Sequence, residues 1–204
     1  MQQEERAERS RTALLQAALA LFSSQGYRAT SVRDIAERAG TSTGSVYHHF
    51  RDKEAIFQTL LDQFWAASSD PSYPLVRVLE EGAFPDNLPA IGRAAQEMIV
   101  DWRPYIALIN EDVVEFEGRH VQRFYSDLAA RYQDFLARRT DLDIPSRLRE
   151  GVPPVAAMIM TTRIFVYYFV VELLFGVPNH YGLDRDEATR LISDILTSGI
   201  VKSA

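Results

Sequence analysis

Thr43, Gly44, Ser45, Tyr47 and His48 lie within six consecutive positions of the stretch 31–50, SVRDIAERAGTSTGSVYHHF. Their hydroxyls can donate to, or accept from, the edges of nucleic-acid bases, and a glycine among them lets a backbone come close to those edges. Tyr47, His49 and Lys53 add donors suited to phosphate oxygens, and a helix starting near Lys53 would present a positive dipole end to the same anions. The chemistry on offer is recognition by hydrogen bonding. Groups for bond making are scarce: the chain has no cysteine, no Gly-rich phosphate loop and no HExxH pattern. Glu117-x-x-His120 is half of the pattern of a di-metal helical bundle. No second Glu-x-x-His occurs, so a di-metal enzyme is kept only as a remote alternative, and no metal or cofactor is assigned.

Recognition groups need a frame. Thr30 or Ser31 can cap a short helix lined by Val32, Ile35, Ala36 and Ala39 and stopped by Gly40; Ser42 can cap a second that runs to about Phe50, with Val46 and Phe50 inward. Two short helices joined by a tight turn form a helix-turn-helix, which puts its second helix into a DNA major groove. Before them, Leu14, Leu15, Ala18, Leu19, Leu21 and Phe22 share one face of a helix from Arg9 to Gln25, ended by Gly26. After them, Asp52 opens a helix carrying Ile56, Phe57, Leu60, Leu61 and Phe64. The pattern breaks from Ser68 to Pro89, with four prolines. Further helices are expected over about 87–101, 104–117, 119–140, 153–176 and 184–201. No stretch alternates with period two, so the expected fold is all-α: an N-terminal helix-turn-helix domain joined by a long helix to a C-terminal helical domain.

The chain is 204 residues long, 47% hydrophobic and 25% charged, with a net charge of -6. That composition excludes disordered and disulfide-built classes. Residues 1–60 carry eight Lys/Arg against seven acids, whereas the rest carries 14 against 21. The asymmetry permits nucleic-acid contact at the N-terminal end. The apolar stretch 152–177 is long enough to span a bilayer, but Arg163 and Glu172 would each cost roughly 2.5–3.5 kcal/mol at its centre. A buried or subunit-sharing helix is expected there, no membrane is expected as a partner, and the charged N-terminus lacks a secretion signal.

The run GYRATSVRDIAERAGTSTGSVYHHFRDKEAIF, residues 26–57, closely resembles the DNA-binding domain of the TetR family of transcriptional repressors. The Thr-Ser-Val-x-x-Ile-Ala start, the Ala-Gly turn, Tyr47, His49-Phe50 and Lys53-Glu54-Ala55 all fall in register. The resemblance implies a cytoplasmic repressor that binds a pseudo-palindromic operator as a homodimer and is released by a small molecule. It divides the chain into residues 1–54 for DNA and 55–204 for effector and dimer. It makes Arg33 a base reader and Thr43, Gly44 and Ser45 the variable recognition positions. Tyr47, His48, His49 and Lys53 become phosphate or base-edge contacts, and Ser31 a phosphate contact. No Lys or Arg lies between Arg38 and Arg51, so a shallow salt dependence is expected.

For the effector, aromatic stripes and embedded charges nominate Trp102, Tyr105, Ile109, Asp112, Phe116, Phe124, Arg163 and Tyr167. Arg163 is expected to be buried, paired with an acid at 111, 112 or 115 or with the effector, which is expected to be largely apolar. The resemblance pairs the last two helices with their mates in a four-helix dimer interface, for which Phe169, Leu173, Leu191 and Ile195 are nominated. A DNA-binding regulator controlled by a partner protein, with no small-molecule effector, is the alternative.

Overall fold

The computed structural model describes residues 2–202. The helices are α1 (Gln2–Gln25), α2 (Val32–Arg38), α3 (Thr43–His49), α4 (Lys53–Ala67), α5 (Pro74–Glu81), α6 (Leu88–Asp101), α7 (Arg103–Phe116), α8 (Gln122–Arg138), α9 (Ile144–Arg147), α10 (Pro154–Phe169) and α11 (Arg185–Ile200). A 3₁₀ turn covers Thr140–Leu142, and a π turn, Val170–Leu174, continues α10. The fold is all-α; among the described residues the only sheet-like pairing is the isolated bridge Leu148–Val201.

Two compact units form, and they do not follow chain order. Unit 1 is Met1–Ala67 with Pro104–Arg123, and unit 2 is Ser68–Arg103 with Phe124–Ala204. The division expected between residues 54 and 55 thus falls inside α4, all of which packs in unit 1.

In unit 1, α1 packs against α2 and α4, and α2 against α3. Leu14, Ala18, Phe22, Ile35, Val46, Ile56, Phe57 and Leu61 are fully buried between them. The α1 helix starts at Gln2, about two turns before the expected Arg9, because the polar residues before Arg9 are good helix formers. In unit 2, α6 is central, packed by α5, α10 and α11. Gly92 makes this approach possible: a Cβ there would lie 2.6 Å from Thr189 Cγ2 and 2.9 Å from Phe165 Cε1.

The helix α5 lies where the sequence pattern suggested only a break. Pro74 occupies its first turn, where a missing N–H costs nothing, and Pro89 and Pro154 start α6 and α10 in the same way. One helical stretch, Pro154–Leu174, has the length and apolarity of a membrane span, with a mean hydropathy of 1.6. It packs against α6 and α11 through Ala157, Met158, Phe165, Tyr168 and Phe169, all buried.

Candidate nucleic-acid interface

The helix-turn-helix is held by two side-chain caps and one left-handed glycine. Ser31 closes a capping box on α2: its hydroxyl accepts from the Asp34 amide at 3.1 Å and donates to Asp34 Oδ2 at 2.7 Å. The Ser31 amide and hydroxyl hold the Asp34 carboxyl below its usual range. Gly40, at φ +69°, reverses the chain, and the Thr41 amide returns to the Ala36 carbonyl at 2.9 Å. Ser42 then caps α3, accepting from the Ser45 amide at 3.2 Å. Val46 and Phe50 go inward.

That leaves Thr43, Gly44, Tyr47 and His48 exposed in a row, with Ser45 and His49 half-buried beside them. Tyr47 is 59% exposed. A Cβ on Gly44 would meet only Ser42 Oγ, at 3.7 Å, so the intramolecular fold has no steric need for glycine there. Arg33 is exposed on α2. Every expected recognition residue of α3 is thus exposed or half-buried, and Arg33 and Ser31 are exposed as well.

Lys53 differs from its expected role. Its ammonium donates to the Tyr27 carbonyl at 2.6 Å and the Thr30 carbonyl at 2.7 Å, and lies 4.0 Å from the Tyr27 ring centroid. Burial lowers its pKa, against the opposing pull of Glu111 and Glu115. Lys53 braces the α1–α2 loop on the start of α4; two of its three hydrogens are spent inside the fold.

Sequence reasoning missed the polar seam that makes α7 part of unit 1. Glu111 Oε1 accepts the Tyr27 amide, and Glu115 pairs with Arg28 at 2.6 Å. Burial raises the Glu111 carboxyl above its usual value, with the Tyr27 amide opposing. The Tyr27 phenol is pushed up to about 12, chiefly by burial and then by the Glu54 charge. The Phe116 ring packs on Tyr27, Phe57 and His120 at 4.8, 5.0 and 4.8 Å. Asp112 is fully buried and holds the turn after α7: Oδ2 accepts the His120 and Val121 amides, and Oδ1 faces His120 Nδ1 at 2.5 Å. No local periodicity signals the links to Tyr27, Arg28 and Phe57, since each joins residues far apart in the chain.

The nominated effector residues are not gathered in one unit. Tyr105, Ile109, Asp112 and Phe116 belong to unit 1, and Trp102, Phe124, Arg163 and Tyr167 to unit 2. Asp112 and Phe116 are structural, for the reasons just given. Tyr105 stacks on Phe64 at 5.8 Å, and Trp102 packs on Tyr73 at 5.8 Å. The expectation of a buried Arg163 is corrected: it is exposed, with its guanidinium 5.3 Å from the Tyr125 ring, and the acids proposed for it lie in unit 1. Phe124 carries Arg131 at 5.1 Å.

Of the nominated dimer residues, Leu191 and Ile195 are exposed at 43% and 62%, and Leu173 is half-buried. Phe169 is corrected: it is fully buried within its own chain. Glu117 is exposed, with a left-handed backbone, and among the described residues no group of three metal-ligating side chains occurs.

Unit 1 exposes the second helix of a helix-turn-helix, the element that motifs of this class present to a nucleic-acid groove. Residues 14–60 match the family model of bacterial regulatory proteins, tetR family. The HTH-type transcriptional repressor KstR2 of Rhodococcus jostii (strain RHA1) is 52% identical over 54 residues, 26% of each chain. The HTH-type transcriptional repressor Rv3405c of Mycobacterium tuberculosis (strain ATCC 25618 / H37Rv) is 34% identical over 125 residues, 58% of this chain and 63% of the relative. The match thus spans about a quarter of KstR2 and under two thirds of Rv3405c. The fold extends further. The transcriptional regulator FadR from Bacillus subtilis, in complex with stearoyl-CoA, superposes with a TM-score of 0.63 at 16% identity, over 92% of this chain and 98% of that one.

Proposed function

We propose that the protein is a cytoplasmic, ligand-responsive transcriptional repressor that binds a pseudo-palindromic operator as a homodimer and leaves it when a small, largely apolar effector binds. The open face of α3, inside the stretch that matches the tetR family model, carries this reading. Thr43, Gly44, Ser45, Tyr47 and His48 meet base edges, Arg33 reads from α2, and Ser31 and His49 serve phosphates. Residues 1–54 do the reading and residues 55–204 the sensing and dimerisation, with α4 and α7 built into the body of the reader.

An apolar stripe on unit 2 supports the homodimer. Met160, Ile164 and Tyr167 of α10 are exposed at 54%, 37% and 66%, and Leu191 and Ile195 of α11, a helix packed on α10, are exposed as well. Two such stripes buried face to face give a four-helix interface, which moves Tyr167 from the effector to the partner copy. The effector reading is supported by the FadR complex with an acyl-CoA. Control by a partner protein would use the same reader without a pocket.

Fluorescence polarisation against DNA from the gene's own upstream region, at two salt concentrations, tests the reading. Specific binding of two protomers per site is expected, lost in Gly44→Glu and, through monomerisation, in Ile195→Asp. Absence of specific binding to that DNA and to a random operator library overturns it. Lys53→Met sharpens it. Affinity should fall while the salt slope stays as in the wild type, because a brace neutralises no phosphate; a slope smaller by about one would return Lys53 to the DNA.

A further inference from the structure

We propose that His120 is a positioning residue for operator binding, a proton-dependent clamp between α7 and the DNA-proximal start of α4. The inference rests on the DNA-binding reading above and concerns unit 1 alone.

His120 is nearly buried, its side chain 8% exposed, and both ring nitrogens face carboxylates. Nδ1 lies 2.5 Å from Oδ1 of Asp112, and Nε2 lies 3.4 Å from Oε1 of Glu54. Asp112 is fully buried, and its other oxygen is taken by the His120 and Val121 amides, so Oδ1 requires a donor. Nδ1 must therefore carry a proton, which fixes the tautomer. Neutral His120 then turns the Nε2 lone pair toward the Glu54 oxygen, two acceptors face to face. Protonated His120 turns a positive charge on that oxygen and closes the chain Asp112–His120–Glu54 by an ion pair at 3.4 Å, linking α7 to the second residue of α4.

The other groups facing this chain are few. The Arg119 guanidinium shares Glu54 at 3.3 Å and lies 5.3 Å from the Phe116 ring. From α7 and α4, the rings of Phe116 and Phe57 wall the imidazole at 4.8 and 6.0 Å. Tyr27 packs on both rings, and beyond it Glu111 takes the Tyr27 amide and Glu115 pairs with Arg28. Lys53, the neighbour of Glu54, braces the loop that leads into α2. The clamp thus acts on the residue beside the brace that holds the helix-turn-helix. With His120 neutral the Nε2 ion pair is absent, and among the described residues Glu54 keeps its ion pair with the exposed Arg119.

Operator affinity measured from about pH 5.5 to about pH 8, the range in which histidines titrate, tests this on full-length protein. The wild type is expected to lose about tenfold more affinity across that range than His120→Gln, which cannot change charge. His48 and His49 are present in both, so their share cancels. Glu54→Gln supplies an amide donor to neutral Nε2, and is expected to retain the high-pH affinity and flatten the profile. In parallel, imidazole nitrogen spectra of the protein without DNA should show Nδ1 protonated throughout and Nε2 gaining its proton as pH falls. Equal pH profiles for the wild type, His120→Gln and Glu54→Gln, or a spectrum with Nδ1 bare, overturn the clamp. A wild type that binds no operator at any pH overturns the regulator, and with it the positioning role, whatever the spectra show.

Discussion

Each unit buries one carboxylate completely, and the two are used differently. In unit 1, Asp112 accepts two backbone amides and one imidazole, and that imidazole is shared with a second carboxylate, Glu54. In unit 2, Glu172 sits in the π turn that ends the α10 helix and gathers Tyr168 Oη, His180 Nδ1 and Arg185 Nε at 3.3, 3.3 and 3.4 Å. Burial alone would raise the Glu172 carboxyl; the Asn179 amide, Arg185, and the His180 ring and amide outweigh it, so its pKa lies below the usual value. The unit 2 carboxylate owns a permanent cation and locks the loop between α10 and α11. The unit 1 carboxylate works through a histidine, whose charge can change, and reaches another helix. The difference separates a fixed staple from an adjustable joint, and the joint lies in the unit that carries the helix-turn-helix.

The largest expected effects come from removing these anchors. Asp112→Ala strands two amides and an imidazole in an apolar surround, and Glu172→Ala leaves the largely buried His180 and the Tyr168 hydroxyl without their carboxylate, while Arg185, 44% exposed, can turn to water. Breaking a buried pair from one side costs about 3–5 kcal/mol. Chemical denaturation should show losses of that size in both variants, with Asp112→Ala also losing operator affinity. A loss below about 1 kcal/mol in either would mean that water replaces the missing oxygens and the burial is not tight.

Much of unit 1 was legible because its signals are local. Ser31, Asp34, Gly40 and Ser42 act within three or four residues of themselves, so caps and turn could be read from spacing. The prolines were harder: Pro74 lies in the stretch read as a break and proves to be a helix start, as Pro89 and Pro154 also are, because a proline ends one helix and begins the next with equal ease. The apolar helix α10 shows the limit of periodicity. Phe165, Tyr168 and Phe169 point inward while Met160, Ile164 and Tyr167 point outward, and apolar residues fill both faces. Its two charges carried the missing phase. Arg163 marks the outward face and Glu172 the inward one, but only the loop partners of Glu172, supplied by chain folding back from residues 179–185, decide which is which. The α7 seam was illegible for a related reason: Glu111 finds Tyr27 across 84 residues of sequence.

A smaller effect tests whether unit 2 depends on close helix approach as unit 1 depends on polar joints. Gly92→Ala places a methyl 2.6 Å from Thr189 Cγ2 and 2.9 Å from Phe165 Cε1, both in the packed centre of unit 2. Overpacking of this kind costs about 1–3 kcal/mol. The control is Gly44→Ala, which meets only Ser42 Oγ at 3.7 Å, so it should leave thermal stability unchanged or slightly raised while weakening operator binding. Equal stability for both variants would show that α6 can shift away from α10 and α11.

The smallest effect is one of sign, in a pair of conservative substitutions. Glu172 has a folded pKa below its usual 4.5, so its stabilisation is fully present above that value and is lost as pH falls through the lowered one. Glu111 is the reverse: burial raises it, so its contribution favours the fold below 4.5 and is lost as pH rises through the raised value. At neutral pH the folded state therefore carries the cost of an ionised Glu111 beside the Tyr27 amide. Glu111→Gln keeps an oxygen for that amide and sheds the charge, so its melting temperature at pH 7 should be slightly higher than that of the wild type. Glu172→Gln keeps the shape but loses the charge that Arg185 and His180 require, so its melting temperature should fall. The two variants should converge on the wild type at acid pH, where both carboxyls are protonated. If Glu111→Gln also falls at pH 7, then Lys53 compensates the Glu111 charge more fully than burial penalises it, and the seam between α7 and the reader is a staple after all.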